Sequence, residues 1–128
     1  MTANIIDDEH EWDSISSRLA LWPLEQCHAY GQAARSIGQI PLRLRIDVGG
    51  ERVQAQFLVR RVAHLLTLSQ SIRGPVATSW QTGVGHAALA ALFEGLPRCW
   101  PALTLAMPEA TGRTDTDALL RQIGRAHV

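Results

Sequence analysis

The residues best suited to chemistry lie between Leu65 and Leu96. There an apolar run, Leu65-Leu66-Thr67-Leu68, is followed by Arg73-Gly74-Pro75-Val76 and then by Gly83-Val84-Gly85-His86 at the head of an alanine- and leucine-rich stretch. A strand that ends in a glycine turn and feeds a helix aims backbone N–H groups and the positive end of the helix dipole at an anion. Glycine suits the place because a Cβ would block close approach. The candidate anion site is therefore Arg73 and Gly74 at the strand end with Gln81, Gly83, Val84, Gly85, His86 and Ala87 at the helix start. A helix start with no ligand accounts for one Gly-x-Gly equally well. The dipole disfavours a protonated ring in the first turn, which suits His86 to act as a neutral donor or a base. Arg73 can clamp a phosphate or carboxylate bidentately, or pair with a neighbour at the strand end. Glu109 follows a short apolar strand, and strand ends in open α/β sheets face the ligand crevice, so it is placed to deprotonate an incoming amine; as a plain loop acid it would do nothing. His10, His28, His64, His86 and His127 are too scattered for zinc, and no Ser-His-Asp or Cys-His arrangement is present.

The elements that would position these groups follow from periodicity. Asp7 to Leu19 reads as an amphipathic helix with acids at its start and Trp12, Ile15 and Leu19 on one stripe. Pro23 suits the first turn of a second helix, along which Leu24, Cys27, Tyr30, Ala34 and Ile37 recur until Gly38. His28 and Glu25 fall elsewhere on that helix, and His28 is expected to be solvated or bonded locally. From Gln39 the period becomes two: Leu42, Leu44, Ile46 and Val48, then Val53, Ala55, Phe57 and Val59, form a hairpin about Gly49-Gly50. The arginines between them are expected on a solvated face. A third strand over His64 to Ile72 is apolar enough to be central, and Arg73-Gly74-Pro75 ends it. A helix follows from Gly83 to Leu96 with Ala88, Leu89, Leu92, Phe93 and Leu96 on its apolar face. Ala102 to Met107 is a short buried strand, and Thr114 with Asp117 opens a last helix that Gly124 closes. The order predicts an α/β (α+β) layer structure with a mixed sheet. Its antiparallel hairpin leads to a central strand, a right-handed crossover helix and a parallel strand.

Composition narrows the function classes. The 128 residues fit one domain able to bury about two-thirds of its unfolded surface. Twelve acids balance twelve arginines, with no lysine, so no electrostatic argument for nucleic acid follows, despite Arg43, Arg45, Arg52, Arg60 and Arg61 in one window. No apolar run approaches the roughly 20 residues that cross a bilayer, and the acidic start is not a signal peptide. Cys27 and Cys99 lie in apolar stretches without CxxC spacing and are expected to be reduced thiols of a cytoplasmic protein, with no metal.

The element order, with glycines opening the helix after the third strand, resembles the GNAT acyltransferase fold. In that family the helix begins with a Gln/Arg-x-x-Gly-x-Gly/Ala turn whose amides hold the pyrophosphate of acyl-coenzyme A. The counterpart here is Gln81-Thr82-Gly83-Val84-Gly85-His86-Ala87, with Gln81 one position nearer Gly83 than the pattern has it. Trp22 to about Val76, with Tyr30-Gly31, the hairpin and Arg73-Gly74-Pro75-Val76, is similar to the N-terminal lobe of FemAB-type peptidyltransferases. The ending Ile123-Gly124-Arg125-Ala126-His127-Val128 also looks like the close of such a lobe. The resemblance implies an acyl-coenzyme A or aminoacyl donor and an amine acceptor. A complete GNAT domain continues with two more strands, often bringing a tyrosine acid, and this sequence stops before them; its only tyrosine is Tyr30.

Three readings follow. The first is an N-acyltransferase-like domain with donor phosphates at Gly83 to Ala87, backbone N–H near Ile72 to Gly74 stabilising the developing oxyanion, and Glu109 or His86 handling the proton. The second is a non-catalytic GNAT-like module that homodimerises, or completes a partner chain, through an open sheet edge. The third is a scaffold unrelated to that family. Trp12, Trp22, Trp80 and Trp100 are many for this length and can serve an interface.

Overall fold

Alternation of apolar and polar residues about Gly49-Gly50 builds the hairpin on which the sheet rests. In the computed structural model, which describes residues 2–19, 21–63, 66–79, 84–96 and 102–107 (84–86 and 102–107 by backbone alone), strands β2 (Ile40–Val48) and β3 (Glu51–Val62) pair antiparallel. Gly49 and Gly50 take φ +58° and +80°, the left-handed pair that a tight two-residue hairpin needs. The register sets Leu44 opposite Ala55 and Ile46 opposite Val53 on one face, and Arg43 opposite Gln56 and Arg45 opposite Gln54 on the other.

Strand β1 (Asn4–Ile5) edges β2, and β4 (Leu66–Ile72) pairs antiparallel with the second half of β3. Strand β5 (Val76–Ala77) returns to the first half of β3. Helix α3 (Val84–Glu94) then leads to β6 (Ala102–Met107), which runs parallel to β4 from Thr67↔Ala102 to Ile72↔Met107. The sheet order β1-β2-β3-β4-β6 makes β4 a central strand, as its apolar start predicts, and the fold is a mixed α+β arrangement. Of the residues expected in that strand, His64 and Leu65 lie outside the described residues.

Helix α3 buries the expected face, Ala88, Leu89, Leu92, Phe93 and, just past its end, Leu96, against Leu44, Ile46, Val53, Ala55 and Phe57. Phe57 and Phe93 meet edge to face, centroids 5.9 Å apart at 74°, worth about 0.5–1.5 kcal/mol beyond the area they bury.

The other face departs from expectation. The first helical stretch is α1 (Glu9–Asp13) followed by a 3₁₀ segment, Ser14–Arg18. Asp8 caps it, its carboxylate accepting the Glu11 N–H at 2.9 Å, and Trp12 and Ile15 are buried. The second is not one helix but a 3₁₀ turn Leu24–Gln26, α2 (His28–Ala34) and a 3₁₀ turn Arg35–Ile37. Cys27 between the first two is extended (φ −71°, ψ 147°), so spacing counted across it does not stay on one face. Leu24 and Ile37, expected in the buried stripe, are 67% and 75% exposed, while Gln26 is buried. These segments lie over the polar face of the hairpin. Arg43 is consequently 2% exposed and Arg45 and Arg52 are partly buried, which corrects the expectation of a solvated arginine face for this half of the hairpin, while Arg60 and Arg61 are exposed as expected.

No helix among the described residues is long and apolar enough to cross a membrane. The expected helix from Thr114 to Gly124, and Cys99, lie outside the described residues.

Candidate functional site

Strand β3 is longer than its neighbour and pairs with two successive pieces of chain. Its ladder with β4 ends at Leu58↔Gln70 and resumes with β5 at Gln54↔Val76. Three residues of β3, Ala55 to Phe57, thus face five, Ser71 to Pro75, and the two surplus residues bulge. At the bulge Arg73 has φ +56°, a left-handed conformation that costs a non-glycine residue about 1–2 kcal/mol, and the Gly74-Pro75 peptide is cis. Pro75 brings no N–H to the ladder.

The gap is bridged by the Gln26 side chain. Its Oε1 accepts the Gln56 backbone N–H at 2.8 Å, and its Nε2 donates to the Ile72 carbonyl at 2.7 Å and to Ser71 Oγ at 3.2 Å. A carboxamide offers an acceptor and a donor much as a peptide unit does, so Gln26 stands in for the missing rung between β3 and β4. Gly74 makes room for it, since a Cβ there would meet Gln26 Nε2 and Ser71 Oγ at 2.5 Å. The Gln26 carbonyl in turn accepts Trp12 Nε1–H at 2.8 Å, which ties α1 to the same point.

Behind Gln26 the amides continue. Gln56 Nε2 donates to the Cys27 and Glu25 carbonyls at 2.8 and 3.2 Å, and Gln56 Oε1 accepts from Arg43 Nε at 2.7 Å. Arg43 Nη2 donates to the His28 carbonyl and to Gln32 Oε1, each at 3.1 Å. Its hydrogen-bond partners among the described residues are all neutral oxygens. Burial accordingly pushes the Arg43 guanidinium below its ordinary range, with Asp7 opposing the shift. Gly31 of α2 lies where a Cβ would collide with Gln56 Oε1 and Arg43 Nη2, so the helix can approach only as glycine. His28 Nε2 lies 2.9 Å from the carbonyl of Asp7, 21 positions earlier in the chain, so its contact is not local in sequence.

Glu25 lies beside the break. Its Oε1 is 3.5 Å from Arg73 Nη1, with the two side chains 16% and 46% exposed. Its Oε2 is buried and has no hydrogen-bond partner among the described residues. The neighbouring Cys27 thiol is pushed up by burial first and then by the negative charges of Asp13 and Glu25, so it is a protonated thiol rather than a nucleophile.

Of the candidate residues read from sequence, Arg73 and Gly74 form the break itself. Val84, Gly85 and His86 open α3, and Ala87 follows them, exposed. Gln81, Gly83 and Glu109 lie outside the described residues. The structure adds Gln26 and Glu25, which sequence reasoning passed over. A signal was present: the outward positions of β3 include two glutamines, Gln54 and Gln56, and amides are far cheaper to bury than charges. Among the described residues, no group of three or more His, Cys, Asp or Glu could hold a metal ion. No known protein family matches this sequence, and no curated protein and no solved structure is similar to it.

Proposed function

We propose that this chain is an acyl- or aminoacyl-transferase-like domain of the GNAT kind. It takes the phosphates of an acyl-coenzyme A donor at the start of α3 and an amine as acceptor. One observation carries the reading: β4 and β6 run parallel and end together at Ile72 and Met107, and β4 breaks immediately beyond, at Arg73-Gly74-Pro75. Ligands of open α/β sheets bind outside the carboxyl ends of parallel strands. A break at that end frees backbone N–H groups from the ladder to face a developing oxyanion, while the first turn of α3, with Gly85 in it, offers its amides to a phosphate. Catalysis would rest on positioning donor and acceptor and on that oxyanion contact.

Isothermal calorimetry with coenzyme A and acetyl-coenzyme A tests this. Binding should appear with both and vanish in Gly85→Phe; no heat at millimolar ligand retires the reading. A second reading, a non-catalytic module that pairs through its sheet edge, draws on β1. That strand covers only Leu44 and Arg45, so no strand flanks Ile40 to Leu42 of β2 among the described residues, and Ile40 is exposed. Light scattering on the eluting protein decides it, because a monomer at high concentration removes the edge pairing.

A further inference from the structure

We infer that Glu25 is the group that receives the acceptor: its carboxylate binds the ammonium of a primary amine at the strand break. This rests on the transferase reading and names a residue and a ligand chemistry for its acceptor side.

Three observations converge on Glu25. Its main chain is fixed, because its carbonyl accepts Gln56 Nε2–H and the next residue, Gln26, is bonded to Ser71, Ile72 and Gln56. The carboxylate is thereby held next to the surplus residues of the break. Its ion pair with Arg73 is loose, since 3.5 Å exceeds the roughly 2.7–2.9 Å of a charge-assisted hydrogen bond. Finally, Oε2 is buried with no hydrogen-bond partner among the described residues, although a carboxylate can accept about four hydrogen bonds.

A carboxylate mostly withdrawn from water is costly unless a cation or several hydrogen-bond donors compensate it. Arg73 meets that need partially: its guanidinium is 46% exposed and touches one oxygen at long range. An ammonium is compact, carries three N–H donors and a full charge, and bonds both oxygens when the half-exposed guanidinium swings aside. A neutral alcohol supplies one donor and no charge, so it would leave the carboxylate worse compensated than Arg73 does. The ligand class is therefore a primary amine in its protonated form, and Arg73 is the internal cation it displaces.

The test is an amide-resolved NMR titration of the full chain with ethylammonium chloride at constant ionic strength, with tetramethylammonium chloride and ethanol as matched probes. Saturable shifts at Glu25, Gln26 and Gly74 are expected with ethylammonium alone. They should disappear in Glu25→Gln and saturate at several-fold lower concentration in Arg73→Gln, where the competing cation is gone. The Arg73 variant keeps the test decisive if Glu25→Gln fails to fold. An equal response to tetramethylammonium, a response that survives in Glu25→Gln, or unchanged affinity in Arg73→Gln overturns the assignment. The coenzyme A calorimetry is read separately. Donor heat without an ammonium response sinks the Glu25 site alone, and an ammonium response without donor heat sinks the transferase reading alone.

Discussion

Gln26 offers the sharpest test of how this sheet is held open. Replacing it with leucine keeps the volume roughly constant and removes three hydrogen bonds: those to the Gln56 N–H (2.8 Å), the Ile72 carbonyl (2.7 Å) and Ser71 Oγ (3.2 Å). Serine can rotate to another partner, but the two backbone groups are left facing an apolar side chain. At about 1–3 kcal/mol for each of the two unsatisfied buried groups, Gln26→Leu should cost roughly 2–6 kcal/mol. That is a large share of the about 5–15 kcal/mol by which domains are stable, and at roughly 3–5 °C per kcal/mol it should lower Tm by about 6–30 °C. Gln26→Glu separates hydrogen bonding from shape. Only the protonated acid can both accept from Gln56 and donate to Ile72, so the folded state raises the pKa of the new carboxyl above the about 4.3 of an unfolded one. The variant's stability should be fullest below about pH 4 and should fall, relative to the parent, by up to about 1.4 kcal/mol per unit as pH rises through the raised pKa. Urea unfolding followed by tryptophan fluorescence from pH 4 to 8 reads both. A Gln26→Leu variant within about 0.5 kcal/mol of the parent, or a Gln26→Glu curve parallel to it, would refute the claim that this amide replaces a rung of the ladder.

Two further outcomes follow from the buried amide network and its border. Gly31→Ala should lose stability although alanine favours a helix interior by about 1 kcal/mol, because the new Cβ meets Gln56 Oε1 and Arg43 Nη2; a gain in thermal melting would mean that α2 can lift off the sheet. Cys27 should alkylate more slowly with iodoacetamide than an unfolded cysteine at the same pH, and Glu25→Gln should move its rate profile to lower pH by removing one of the charges that raise the thiol. A profile unmoved by that substitution would show that burial and Asp13 set the thiol without Glu25.

The apolar half of the fold is legible in the sequence because its signals are local. Leu42 to Val59 alternate about two glycines, and Ala88 to Leu96 repeat at helical spacing; each pattern needs only one partner face, and both find the other. The polar half is not legible by the same rule. Arg43 alternates with Leu42 and Leu44 as a solvated residue would, and what receives it is Gln56 across the hairpin together with Gln32 and the His28 carbonyl of a segment from another part of the chain. Hydrophobicity reports the cost of burial, whereas partners settle whether it is met, and those partners lie 11 to 15 residues away. The stripe through Leu24, Cys27 and Ile37 failed for a related reason: one extended residue, Cys27, resets the phase of the helix. At the candidate site, the break at Arg73-Gly74-Pro75 was readable from proline and glycine, while the group that fills it was not.

That last asymmetry bears on function. A two-residue bulge alone would leave the Gln56 N–H and the Ile72 carbonyl free to recruit water or close the ladder by slipping one strand. Gln26 prevents both by occupying the gap, and it can do so only where Gly74 has no Cβ. The opening is thus held from the N-terminal segment, and the residue before the strut, Glu25, is carried to the break by the same backbone. The place of the Glu25 carboxylate at the end of β4 thus depends on residues 45 and 46 positions beyond Gln26 in the chain, through the Gln26–Ser71 and Gln26–Ile72 bonds. If Gln26 is the support and Glu25 the contact, Gln26→Leu should abolish the ammonium response with the Glu25 carboxylate chemically intact, and Ser71→Ala, which removes only the longest of the three bonds, should leave it.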